Sequence, residues 1–591
     1  MKSIKYNFKL LYILLFFMCF KNVKAQTNIT IDPEIEHQTI EGWGVSLAWW
    51  ANLVGGFSQD AIDEIAGYAV NDLNFNVFRF NISGGENPNC TEGDHFRKDG
   101  ALIPNYRSPQ NDNQGWGTAD ITKDFRQISV MNKIAELRAP KGDIITEMIS
   151  YSPPWWMTHG ECSAGNVEAT DENLKPEFRD DFADYLASVS KELSTAYPSW
   201  NISYIVPFNE PTSGFWRKGG NQEGSAIYPQ TQAEILFRLN QRLIALDIPQ
   251  IKMSGSDNSK VPWSLTNMRT MNNNNPFQYN SLAKITTHSY GGSWQEKAAL
   301  ANYAKTNGNK PVWQTETGPL GWVRDGRSFF ARHYDIAYRL VEDLRNLKAT
   351  VWCDWQLMSR DDGWGMLHQT NWDENIQFQE PVLNKTRGFY CRKNVTNFIK
   401  VGYKIIQSND HNTISAISPD NSEAVLVIVN SSEQLKEYTI DLSNFSFVNS
   451  YKAFRTSGLS NNGENTVENT IPNINLKGQL TGKSIRYNAP AYSVSTFVVD
   501  ISNPLSTSAF RKEDFKMYPI PFSIESTFSF PRKLVDGNLV IYNTLGMKVK
   551  EYKNINNKQV IINRENLDNG IYFYKLKENR NTLTSGKLVI K

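Results

Sequence analysis

Two glutamates stand out by what leads into them. In the stretch YIVPFNEPTSGFW, an apolar run climbs from Tyr204 to Phe208, reaches Asn209-Glu210 and is broken at Pro211. In VWQTETG, Val312 to Thr315 runs in the same manner into Glu316. A carboxyl group at the tip of a buried strand is rigid and partly stripped of water, which suits it to acid–base or nucleophilic work. Two such groups facing each other can cleave an acetal. One protonates the departing oxygen, and the other, an anion on the opposite face, captures the oxocarbenium-like carbon. Either glutamate taken singly reads equally well as a solvated residue at a strand-to-turn junction. What places them together has to come from the rest of the chain.

Eight short apolar runs fall at Ile40–Gly44, Val77–Ile82, Ile144–Ser150, Tyr204–Phe208, Ile251–Gly255, Ile285–His288, Val312–Thr315 and Thr350–Trp355. Between them lie amphipathic stretches such as Ala61–Leu73, Asp124–Leu137, Glu177–Leu193 and Thr231–Leu246, with helical spacing of apolar residues. Alternation repeated eight times predicts an α/β chain folded as a (β/α)8 TIM barrel. A barrel gathers the ends of its strands at one mouth. Glu210 ends the fourth run and Glu316 the seventh, so residues 106 positions apart (316 minus 210) are expected to face each other.

The other strand ends carry Trp43, Arg79 with Asn81, Tyr151 with Trp155 and Trp156, Asp257 with Asn258, His288 with Tyr290, and Asp354 with Trp355. Two acids, a few hydrogen-bonding groups and several indoles describe a rim suited to sugars, whose C–H faces stack on aromatic rings. The predicted ligand-binding set from these ends is therefore Trp43, Arg79, Trp155, Trp156, His288, Tyr290 and Trp355, while Asn209 by itself reads as a residue that starts a turn. Core packing competes with stacking for each tryptophan, and Trp43, Trp49 and Trp50 suit the barrel's outer wall as well as its cleft. Arg79 can equally be structural, bonding carboxylates below the cleft. His288 reads as an orienting hydrogen-bonder. No cluster has metal-ligand spacing and no glycine-rich loop suits a phosphate, so neither metal nor cofactor is expected.

Composition narrows the class. The chain has 591 residues, 40% hydrophobic and 21% charged, with a net charge of +1, so nothing electrostatic favours nucleic acid or an anionic membrane. Its length calls for more than one domain. Lys2, Lys5 and Lys9 precede the apolar run Leu10–Phe20 and the small residues of Val23-Lys24-Ala25, the pattern of an export signal. That run is too short to span a bilayer, and no transmembrane segment is expected elsewhere. Of the four cysteines beyond it, Cys90 and Cys162 lie in loops and can pair in an oxidising compartment, while Cys353 sits in an apolar strand as an inert thiol.

After Phe398 the pattern turns to β, as in Ala424–Val429, Tyr438–Leu442 and Ser493–Val499. The expected organisation is a signal over 1–25, a catalytic barrel over 26–398 with 26–39 joining a side β-sandwich, that sandwich over 399–501, a linker over 502–514 and a small all-β domain over 515–591. A monomer is expected.

FNEP and TETG at the ends of strands four and seven resemble the clan of retaining glycosidases that keep their acid/base and nucleophile there. EGWGVSLAWWANLVGG (Glu41–Gly56), VFRFNISGGE (Val77–Glu86), SYSPPWWMTHG (Ser150–Gly160) and the closing APAYSVSTFVV (Ala489–Val499) resemble glycoside hydrolase family 30, and within it the endo-β-1,6-galactanase branch. The resemblance covers Gln26 to Ile501. It implies that Glu210 is the acid/base, Glu316 the nucleophile, and Asn209 the residue that bonds the sugar 2-hydroxyl, with hydrolysis of β-1,6-linked galactan, as in arabinogalactan side chains, by double displacement. Other specificities of the family (β-1,6-glucan, xylan or a glucosylceramide-like lipid) stay open, as does a non-catalytic glycan-binding surface protein. At the tail, MYPIPF (Met517–Phe522), LVIYNTLGMKVKE (Leu539–Glu551), LDNGIYFYKL (Leu567–Leu576) and the final SGKLVIK resemble the C-terminal sorting domain of type IX secretion in Bacteroidota. Ile520 departs from the asparagine usual between those prolines. This implies the secretion machinery as a partner, passage through the periplasm, and release or surface attachment.

Overall fold

The computed structural model describes residues 27–87, 89–90, 103–107, 119–319, 329–360, 363–373, 375–376, 378–460, 480–503, 515–578 and 581–591. The export-signal pattern at 1–25 and positions 504–514 of the linker lie outside the described residues.

Strand β1 (Thr27–Thr39) precedes the barrel, whose eight parallel strands are β2 (Gly42–Ser46), β3 (Val77–Asn81), β4 (Ile145–Ile149), β5 (Ile202–Val206), β6 (Lys252–Asn258), β7 (Lys284–His288), β8 (Val312–Glu316) and β9 (Val351–Asp354). They close in sequence order, β2 pairing with β9. Each expected apolar run is one of these strands. The four expected helices form as Gln59–Gly67, Phe125–Arg138, Arg179–Ala196 and Pro229–Ala245.

Side chains alternate across a strand, and here the alternation sorts two layers. Val77, Trp313, Val351 and Cys353 form a cluster of their own inside the barrel. Trp43, Val45, Phe78, Phe80 and Trp352 take the opposite parity and join the large core between strands and helices. Gly44 faces inward, where a Cβ would stand 2.2 Å from the Val77 carbonyl oxygen, so only glycine admits that strand contact.

After β9 the chain makes a small sheet of β10 (Gln356–Ser359), β11 (Gly365–Gln369) and β12 (Leu383–Lys385), then the helix Arg387–Thr396. The side domain follows as a nine-stranded, sandwich-like arrangement that takes in β1. The first residues of β1 pair in parallel with Lys436–Asp441, and its later ones antiparallel with Lys404–Ser408, so one strand serves both halves. Cys90 and Cys162 form a disulfide between the loops after β3 and β4, and Cys353 and Cys391 are buried free thiols.

Contacts divide the chain at Asp500/Ile501. The second unit is all β, with a sheet of Lys516–Tyr518, Glu525–Ser529 and Gln559–Asn563 and another of Lys548–Ile555, Gly537–Tyr542, Gly570–Glu578 and Asn581–Ile590. It has its own core, including Phe528, Leu539, Ile541, Leu576 and Leu588. Among the described residues no helix is long and apolar enough to cross a membrane.

The barrel is fastened to the helix after it by a buried ion pair. Arg392 donates from Nε and Nη2 to the two oxygens of Asp354, both at 2.7 Å, and its guanidinium lies 4.1 Å from the Trp352 ring centroid. Removing one partner strands the other charge in a dry site, at a cost of about 3–5 kcal/mol. Arg392→Met is therefore expected to lower stability by about that amount, and Arg392→Met with Asp354→Leu by distinctly less. Urea unfolding of the three proteins checks this; equal losses in the single and double variants would refute it.

Candidate active site

Glu210 lies four positions past the end of β5, with backbone φ of 47°, a left-handed conformation that a non-glycine residue adopts only when held. Three bonds hold it. Its N–H donates to the Asp257 carbonyl at 2.8 Å, and its own carbonyl accepts from Trp216 Nε1 and the Ser213 N–H, both at 3.0 Å. The carboxyl group is thereby turned toward the barrel axis, where Oε1 meets His288 Nδ1 at 2.8 Å.

Glu316 ends β8. Its Oε2 accepts from the Tyr151 hydroxyl at 3.0 Å and its Oε1 from the Tyr290 hydroxyl at 3.1 Å. Arg79 Nη1 is 3.7 Å from Oε2, and His288 Nδ1 is 3.5 Å from Oε1. One side-chain ligand atom from each of Glu210, His288 and Glu316 lies within 4.8 Å of the others. The two glutamates therefore meet, and each is 5% exposed, open at the mouth and buried below. A divalent ion would find donor atoms here, but both imidazole nitrogens of His288 already bridge carboxylates, Nδ1 to Glu210 and Nε2 to Asp257 at 3.2 Å.

Below this pair is a layer of buried ions. Arg79 donates from Nε to Glu147 Oε2 at 3.0 Å, from Nη2 to Asp257 Oδ2, and from Nη1 to the Thr315 carbonyl at 3.1 Å. Thr315 Oγ1 donates to Asp257 Oδ1 at 2.6 Å. Lys284 Nζ sits 3.0 Å from Glu147 Oε1, between the rings of Trp313 and Tyr204, with centroids at 2.8 and 3.3 Å.

These contacts set the proton affinities. Burial pushes the Glu316 carboxyl up to about 7; His288 and Arg79 pull against that, and the Glu210 carboxylate adds to it. Burial alone would pull His288 down, but Glu316 and Asp257, with hydrogen bonds to Asp257 and Glu210, push it up to about 10. Asp257 is buried too, yet Arg79 and His288 hold it well below the usual carboxylate range. At neutral pH His288 is thus a cation between carboxylates, and two carboxyl groups this close share a proton.

Not every residue in the expected ligand-binding set reaches the mouth. Trp43 does not: it is fully buried on the outer face of β2, with Nε1 donating to the Ile399 carbonyl at 2.7 Å. The strand runs two residues further than expected, so Trp43 is its second residue, away from the mouth and of outward parity, while Ser46, its last residue, points inward and bonds the Tyr151 hydroxyl at 3.0 Å. Arg79 and His288 are also fully buried, so they act on the glutamates rather than on a ligand. Trp156 is largely core, edge-on to the half-buried Trp155 with centroids 5.7 Å apart. Trp355, 7% exposed, packs on Trp49 and Tyr151 beside Glu316. Tyr290 is half-buried. Asn209 is 4% exposed, and its buried amide oxygen has no hydrogen-bond partner among the described residues.

Several residues of the site were not singled out from the sequence. Tyr151 and Asp257 stood at strand ends without assigned partners. Glu147 carried a signal, a carboxylate in the middle of an apolar strand. Glu223 carried none: from the loop after β5 it accepts from Trp49 Nε1 at 2.7 Å, Asn81 Nδ2 at 2.8 Å and the Gly84 N–H at 2.8 Å, drawing three loops together.

Known proteins with the same features agree with this architecture. Residues 26–362 match the family model described as O-Glycosyl hydrolase family 30, and residues 516–591 that of the Secretion system C-terminal sorting domain. The sorting domain marks export, to the cell surface or the medium. An endo-β-1,6-galactanase of Hypocrea rufa is 27% identical over 427 residues, covering 69% of this chain and 82% of that protein. An exo-β-1,6-galactobiohydrolase of Bifidobacterium longum is 21% identical over 549 residues, covering 71% of this chain and 35% of that protein. The crystal structure of a subfamily 8 xylanase from Clostridium acetobutylicum superposes with a TM-score of 0.56 at 18% identity, over 80% of this chain and 99% of its own, a likeness of fold.

The His288 charge makes a signed prediction. Removing a cation beside a carboxyl pair disfavours ionisation, so the pair holds its last proton to higher pH. In His288→Asn the alkaline limb of kcat/KM is expected to move up relative to the parent. A limb that stays or moves down would overturn the assignment of His288 as a buried cation.

Proposed function

The chain belongs to O-glycosyl hydrolase family 30, and from that premise we propose that it is an exported, retaining endo-glycosidase acting on β-1,6-linked galactan. The observation that carries the reading is the meeting of Glu210 and Glu316, with carboxyl oxygens inside 4.8 Å. Carboxyl groups about 5–5.5 Å apart favour direct attack and retention, whereas about 6.5–9.5 Å leaves room for a water and gives inversion.

In the first step Glu210 donates its proton to the departing glycosidic oxygen and Glu316 attacks the anomeric carbon. The bond from that carbon to the leaving sugar breaks as the bond to the Glu316 oxygen forms. In the second step Glu210, now a base, takes a proton from water, whose oxygen displaces Glu316 and restores the original configuration. Oε1 of Glu210 is engaged by His288, which leaves Oε2 to carry the proton. The two phenols and Arg79 around Glu316 supply donors to its anion, which suits a nucleophile and later a leaving group. The partnerless amide oxygen of Asn209, beside the acid, is an acceptor for a sugar hydroxyl. The half-buried Tyr290 and the small exposed part of Trp355 are the aromatic surface next to Glu316 available to a pyranose.

The preference for galactan is supported by the Hypocrea rufa relative, whose stated activity is endo-β-1,6-galactanase. Hydrolysis of β-1,6-galactan, β-1,6-glucan and xylan by wild type, Glu210→Gln and Glu316→Gln tests the whole reading. Wild type is expected to release oligomers from galactan, and each variant to lose about three orders of magnitude or more in turnover while keeping affinity. Proton NMR of the first product should show the β-anomer before mutarotation. An α-anomer would sink retention, release of monosaccharide alone would sink endo action, and undiminished turnover in either variant would sink the catalytic pair.

A further inference from the structure

Among the described residues three tryptophans are exposed, Trp263 at 36%, Trp294 at 56% and Trp372 at 44%; the first two lie on segments that leave the mouth end of barrel strands, and Trp372 lies between β11 and β12 of the small sheet. Two of them open neighbouring helices. Trp263 is the third residue of the helix Val261–Asn274 after β6, and Trp294 the first residue of the helix Trp294–Thr306 after β7. The turns before these helices are joined directly, the Val261 N–H donating to the Gly291 carbonyl at 3.1 Å and the Tyr290 N–H to the Ser259 carbonyl at 3.2 Å. A Cβ on Gly291 would lie 3.2 Å from the methylenes of Lys260, so the two turns touch. Lys260 holds its ammonium over one face of the Trp263 ring, 4.6 Å from the centroid, which steadies that indole and leaves its other face for a ligand. The same turn carries Tyr290, whose hydroxyl bonds Glu316 at 3.1 Å.

We propose that Trp263 and Trp294, with Lys260 in the turn before Trp263, form an outlying binding platform for the sugar chain of the substrate beyond the units held at Glu210 and Glu316. One exposed apolar side chain needs no explanation. Two tryptophans at the starts of helices whose preceding turns are hydrogen-bonded to each other, with Trp294 four residues after the Tyr290 that bonds the nucleophile, are a paired feature beside the catalytic centre. Flat, neutral faces with a single ammonium match a pyranose chain, which offers C–H faces to indole and hydroxyls to a cation. The inference rests on the glycosidase reading, and it predicts that long chains are favoured over short ones through contacts remote from bond cleavage.

The test compares kcat/KM on polymeric β-1,6-galactan with that on β-1,6-galactotriose, in the full chain carrying Trp263→Ala, Trp294→Ala or both, with Trp263→Phe/Trp294→Phe as the conservative pair. The polymer-to-trimer ratio is expected to fall about tenfold in the double alanine variant and to recover in the phenylalanine pair. A ratio that holds overturns the proposal, as does a loss on trimer equal to that on polymer, which would trace the effect to Tyr290 and the catalytic centre. A second arm measures retardation of Glu316→Gln protein in gels containing β-1,6-galactan, β-1,6-glucan or xylan, with and without the tryptophans. Retardation that depends on the tryptophans in glucan or xylan alone upholds the platform and refutes the galactan reading. Hydrolysis of galactan with retardation indifferent to the tryptophans, or retardation by none of the three, does the reverse.

Discussion

Everything at the mouth of this barrel depends on one buried cation. Arg79 stands on the barrel axis with no exposed surface, and a guanidinium there must have its charge matched and its donors met. The chain answers from three strands: Glu147 from β4, Asp257 from β6 and the Thr315 carbonyl from β8. Each acid then needs further partners. Glu147 takes Lys284 and Ser254, and Asp257 takes Thr315 and His288. An apolar layer would fill the same space at lower desolvation cost. What ions provide instead is direction, because every donor and acceptor here has an angle to keep.

That frame carries up into the chemistry through two links, Arg79 to Glu316 and His288 to Glu210. His288 matters because its charge is favoured by Glu316 above and Asp257 below, and it stands between the two glutamates. Burial drives Glu316 to hold a proton near neutral pH, while the cations and phenols around it favour the anion. Neither tendency is overwhelming, and the pair can therefore hold one proton between its two carboxyl groups near neutral pH. Lys284, pulled down to about 7 by burial despite its contact with Glu147, belongs to the same layer but lies farther from the mouth, under the ring of Trp313.

How much of this was legible in the sequence follows from which features are local. Strand periodicity and the polar residue that ends each run are local, so all eight barrel strands and the meeting of Glu210 with Glu316 could be read before any coordinates. Parity within a strand is local too, but the face that points inward is set by closure of the whole sheet. Trp43 shows the difference: the apolar run places it at a strand end, yet it is the second residue of β2, faces the helices and bonds Ile399. Partnerships among buried polar groups are not local at all. Glu223, in a loop without periodicity, finds Trp49, Asn81 and Gly84 from 139 to 174 positions away, and no spacing rule announces that.

The side domain is tied to the same requirement for rigidity. A barrel that closes in sequence order has its seam between the first and last strands, which are the farthest apart along the chain and the most costly to bring together. Here that seam is β2 with β9. The segment before β2 is β1, and the helix Arg387–Thr396 follows β9 after the small sheet; both are built into the side domain. The Ile40 N–H donates to the Tyr403 carbonyl and the Gly402 N–H to that of Ile40, each at 2.8 Å, while Arg392 grips Asp354 at the end of β9. Glu41, at the start of the seam, accepts from Trp313 Nε1 at 2.7 Å and Thr350 Oγ1 at 2.8 Å. The sandwich thus fastens both ends of the barrel strand order. A seam held in this way keeps Tyr151, Trp355 and Glu316, which lie on three different strand ends, at fixed distances around one point. That is the condition under which two carboxyl groups remote in sequence can work as a pair.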